Sequence, residues 1–236
     1  MAIAFDVATS GGIVNPGTSL TFSHTCTGSD RILLVFAFGA TSGDVITGAT
    51  YAGTSMTAVS TAFQLTGDRM VHCWYLINPA SGANNVVISA SSSQTIAGCS
   101  TSYTGAKQTG QPDASNTGQN PSATSLSLSV TTIADNCWTV LLTRTDGTNN
   151  TAGTNTTERL DNAIGYAIFD RNAAITPAGS STLSTSAANP SPYGGWIVSV
   201  APAVSTSSRL TATGRLTAGT RNSATGRLVA TGRLTV

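Results

Sequence analysis

Two histidine–cysteine pairs are the first place where residue type and spacing could support chemistry. His24 and Cys26 lie two apart, so on an extended strand they share a face. His72 and Cys73 are adjacent, so only one of them can join that face. Imidazole and thiolate together are zinc ligands, and His24, Cys26 and one of the second pair would supply three. The tight paired spacing of a zinc site is missing, and the competing reading is two ordinary strand histidines. A hydrolytic triad needs a nucleophile, a base and an orienting acid. The chain has only two histidines and no GxSxG elbow. Glycoside hydrolysis needs two carboxylates across a cleft. Glu158 is the only glutamate, with Asp161 and Asp170 near it in sequence, beside a polar stretch that suits surface acids equally well. Trp74, Trp138 and Trp196 could stack on sugars, yet each sits inside an apolar run (HCWYLI, NCWTVLL, GGWIVSV), which reads as core. Asp113 and Asp146 lack the dense oxygen pattern of a calcium loop. No glycine loop leads into a helix to hold phosphate. The expectation is a protein without catalytic residues, metal or cofactor.

These residues lie on runs that read as strands, bounded by Gly, Asn, Asp, Ser and Pro clusters. The runs are 2–8, 19–25, 31–39, 47–52, 55–60, 69–78, 84–90, 95–104, 123–131, 136–144, 162–170 and 193–200. Leu126, Leu128 and Val130 alternate with serines, which predicts one wet face. Residues 32–38 and 138–142 are apolar at both parities, which predicts central strands buried on both faces. No stretch holds a 3.6-residue period. The pattern predicts an all-β body, a two-sheet β-sandwich of jelly-roll type. Residues 105–122, 145–158 and 171–192 read as long polar loops.

Composition agrees. Charged residues make up 9% of the chain, far below the usual quarter, and 24 glycines suit a turn-rich β protein. The four cysteines are widely and irregularly spaced and read as small buried apolar residues. No secretory signal is visible after Met1, and no run approaches the roughly 20 apolar residues that span a bilayer. Synthesis and folding in a cytosol are expected, with no membrane partner.

Beyond the body, residues 207–236 repeat a six-residue unit: SSRLTA, TGRLTA, GTRNSA, TGRLVA, TGRLTV. Arginine holds the third place at Arg209, Arg215, Arg221, Arg227 and Arg233. Leucine follows at Leu210, Leu216, Leu228 and Leu234. Six is a multiple of two, so in an extended strand leucine keeps one face and arginine the other. A helix would smear both around its cylinder. The tail carries five Arg and no acid, whereas the body sets six basic residues against ten acidic ones. An amphipathic strand without a core needs a partner. The expected organisation is a β-sandwich over 1–200, a linker over 201–206 and an extended assembly arm over 207–236. No Lys cluster or aromatic platform accompanies the arginines, so nucleic acid is not expected.

Three segments resemble a β-sandwich domain of tailed-phage virion structural proteins: SLTFSHTCTGSDRILLVFAF (19–38), ITGATYAGTSMT (46–57) and HCWYLINPASGANNVVIS (72–89). The TGRLTA tail is similar to repeats at the ends of phage structural proteins. The shared features are turns and core positions, so no functional residues carry over. The resemblance implies a virion protein, made in the host cytoplasm, that decorates or cements a capsid or forms a head fibre. Its partners would be itself, as a homotrimer, and a major capsid or other virion protein. The alternative is a receptor- or glycan-binding module of a tail fibre or cell-surface adhesin, using the loops at 105–122 and 145–158 with Tyr103 or Tyr193.

Overall fold

The computed structural model describes residues 2–40, 43–146, 150–162 and 165–204. The described residues belong to one compact unit, Met1–Ser205. The repeat residues Arg209 to Leu234 lie outside the described residues.

Every regular element among the described residues is a β-strand, and every pairing is antiparallel. The first sheet contains β1 (Ala4–Cys26), β2 (Ile32–Ala40), β3 (Ile46–Tyr51), β4 (Thr54–Ser55), β5 (Thr57–Ala58), β6 (Phe63–Leu65), β7 (Arg69–Ile77) and β8 (Gly82–Thr104). The second contains β9 (Ala114–Thr131), β10 (Trp138–Thr145), β11 (Thr151–Ala152), β12 (Thr157–Asp161), β13 (Tyr166–Asp170) and β14 (Ser180–Val200). Each half of the chain thus builds its own sheet, and the chain crosses between sheets once, at 105–113.

The doubly apolar runs are central, as their composition requires. β2 lies between β7 and β8, and β10 between β13 and β14. Ile32, Leu34, Phe36 and Phe38 face Trp138, Val140, Leu142, Trp196 and Val198 in the core between the sheets. Leu33, Val35 and Ala37 point the other way, into a second core with Leu20, Tyr51, Val86 and Ile88. A third core joins Leu141, Phe169 and Ile197 to Leu126, Leu128, Val130 and Leu183. Each fully buried Leu, Ile or Phe contributes roughly 1.5–3 kcal/mol.

The outer cores exist because four strands are long enough to bend. β1 pairs with β8 from Ala4↔Thr104 to Cys26↔Gly82, with register shifts between Ser10 and Ser19. β9 pairs with β14 with shifts between Ser186 and Tyr193. Such bulges turn a strand without ending it. The runs 2–8 and 19–25 are therefore one strand, as are 84–90 and 95–104. The expected loop at 105–122 is strand from Ala114, 145–158 holds β11 and the start of β12, and 171–192 is strand from Ser180. Small polar residues extend there because a long partner offers its hydrogen bonds, not through their own propensity.

The two halves share one topology. The pairings of β8 with β1, β2 and β3, and of β2 with β7, recur as β14 with β9, β10 and β11, and β10 with β13. β6 on β7 recurs as β12 on β13. Registers correspond too: Ile32↔Tyr103 matches Trp138↔Val200, and Phe22↔Val86 matches Leu128↔Leu183. The turns before β2 and β10 each hold a left-handed residue, Asp30 (φ 51°) and Asn136 (φ 62°). Gly98 faces Ala37 and Gly195 faces Thr143. A Cβ on either would press on a strand carbonyl, of Phe36 or Leu142 respectively.

Candidate functional site

The residues singled out for chemistry, Glu158 apart, are placed inside the cores or in internal hydrogen bonds. His24 and Cys26 share the buried face of β1, as their spacing predicts. His72 and Cys73 separate: Cys73 enters the core between the sheets, and His72 bonds Asp44 (2.9 Å) and stacks on Trp74 with ring centroids 5.0 Å apart. No group of three or more His, Cys, Asp and Glu side chains converges among the described residues, so the zinc reading is not assembled.

The His24 ring is held at both nitrogens. Ser102 Oγ donates to Asp6 Oδ2 (2.7 Å), which commits its proton. His24 Nε2, 3.1 Å from Ser102 Oγ, must therefore carry a hydrogen and donate. Nδ1 is left to accept from Ser100 (2.8 Å) and Thr9 (2.9 Å). Burial lowers the His24 pKa to about 4, against a smaller opposing pull from Asp6. The imidazole is a neutral pin between the two limbs of β1. Cys26, Cys73, Cys99 and Cys137 are all free and buried. Burial raises all four thiols, Cys137 to about 11, which keeps them protonated and unreactive.

The three acids of the glycosidase reading do not form a facing pair. Asp170 is fully buried and accepts from Arg159 Nε (2.7 Å) and Tyr103 Oη (3.1 Å). Its pKa is raised by burial, partly offset by Arg159. Asp161 is taken up by the backbone N–H (2.8 Å) and side-chain amide (2.6 Å) of Asn150. Glu158 is exposed on β12 and slightly raised by burial and then by Asp161. Asp146 bridges Arg144 (2.5 Å) and Arg69 (2.8 Å).

The tryptophans are core residues, at 5% (Trp74), 9% (Trp138) and 1% (Trp196) exposure. The glycan alternative also needs correction: Tyr103 and Tyr193 have no exposed surface. Tyr103 bonds Asp170, and Tyr193 bonds Asn150 (2.6 Å) and Thr185 (3.0 Å). Each lies at an inward parity of a long bent strand whose partners were not readable locally.

Two features were missed. One is a duplicated carboxylate clamp. Asp6 accepts from Ser102 Oγ (2.7 Å) and Thr27 N (2.9 Å), and Asp113 accepts from Ser199 Oγ (3.1 Å) and Ile133 N (2.7 Å). These occupy equivalent places in the two halves. Hydrogen bonds from Thr27 and Ser102 outweigh the effect of burial and leave Asp6 lowered. The other is an open cleft of about 540 Å³ at the end of the body, floored by Ile3, Trp138 and Ala174, with Lys107 and Asp135 at its rim. Ala201 to Val204 form one wall.

The chain matches no family model, no curated protein and no solved structure.

A signal for the duplication was present in the sequence. SLTFSHT (19–25) and SLSLSVT (125–131) are variants of one pattern, each followed by an Asp or Asn at the left-handed turn position.

Proposed function

We propose that this chain is a non-enzymatic structural protein of a tailed-phage virion, a capsid decoration, cement or head-fibre protein. It assembles with itself as a trimer, and with a capsid or other virion protein, through its C-terminal repeat arm. The observation that carries the reading is the repeat. Extended as a strand, the thirty residues would keep leucine on one face, in four units of five, and arginine on the other, a surface that needs a partner to bury it. At about 3.3 Å per residue the arm reaches roughly 100 Å, enough to cross a neighbouring subunit. A charge-poor body whose candidate reactive groups are engaged internally supports a scaffold in preference to a catalyst. So does the resemblance of residues 19–38, 46–57 and 72–89 to virion sandwich domains.

The test is light scattering on the full-length chain and on the triple variant Leu216→Asp, Leu228→Asp, Leu234→Asp. The expected result is a trimer or larger for the first and a monomer for the second. An unchanged oligomer in the variant would remove the arm from assembly.

A further inference from the structure

No further inference is drawn: the strongest candidate, the ladder of hydroxyls on the outer face of β9 and β14, where Ser125, Ser127 and Ser129 lie opposite Ser186, Ser184 and Thr182, is a stripe of small residues with nothing in the structure to show what covers it.

Discussion

At the scale of single residues, His24 makes the clearest commitment. It is neutral in the fold, with a pKa of about 4 against an ordinary 6.5. As pH falls below about 6.5 the unfolded chain takes a proton that the folded chain refuses. The His24 contribution to stability is therefore full above pH 6.5, declines by about 3 kcal/mol down to pH 4, and levels off below. Denaturant titrations of the wild type and His24→Asn at pH 7.5 and 4.5 check this: the variant should lose most of the difference between the two pH values. Equal pH dependence in both proteins would show that the ring titrates normally. The paired glycines give a second expectation. Gly195→Ala places a methyl against the Leu142 carbonyl, and Gly98→Ala crowds Phe36 O (2.9 Å) and Ile88. Each should cost about 1–3 kcal/mol, read as a lowered denaturant midpoint with an unchanged m value.

At the scale of elements, the clamps tie each long first strand to the turn that follows it. Asp6→Asn removes a charged acceptor from Ser102 Oγ, Thr27 N and Thr27 Oγ1, and Asp113→Asn removes one from Ser199 Oγ, Ile133 N and Ala134 N. About 1–2 kcal/mol is expected from each, measured by chemical denaturation. The two clamps share no hydrogen-bonding partner, so the double variant should be additive within about 0.5 kcal/mol. Strong coupling would mean that the halves are not independent at this level. The elements also show what a sequence discloses. β2 and β10 were legible because 32–38 and 138–142 carry apolar side chains at both parities, which calls for burial on both faces. The wet serine face opposite Leu126, Leu128 and Val130 was legible from alternation alone. The bends of β1, β8, β9 and β14 were not, because a bulge among Ser, Gly and Asn looks like a loop until the partner strand is known. Tyr103 and Tyr193 misled for the same reason: facing depends on parity within a strand whose length was hidden. The zinc reading failed because spacing along one strand says nothing of which other strand lies beside it, and the four side chains do not converge.

At the scale of the whole molecule, one core is shared and two are private. The core between the sheets draws on both halves, while the outer cores belong to one half each. Trp196→Ala, in the shared core, should cost about 3–5 kcal/mol. Calorimetry should still show one transition for the described body, because neither sheet can cover its inner face alone. Two resolved transitions would contradict a shared core. The same arrangement constrains how the protein is made. Ala4 waits for Thr104 before its strand is fully paired, so the first sheet is complete only after about a hundred residues have been made, although β2, β5, β6 and β7 can pair earlier. When that sheet does form, Ile32, Leu34, Phe36 and Phe38 face water until Val140 and Leu142 are synthesised and swing over them. The nascent chain thus passes through a window in which a complete, apolar sheet has no cover. Slow translation through 105–140, or a holdase chaperone bound there, would decide yield more than the stability of the finished fold does.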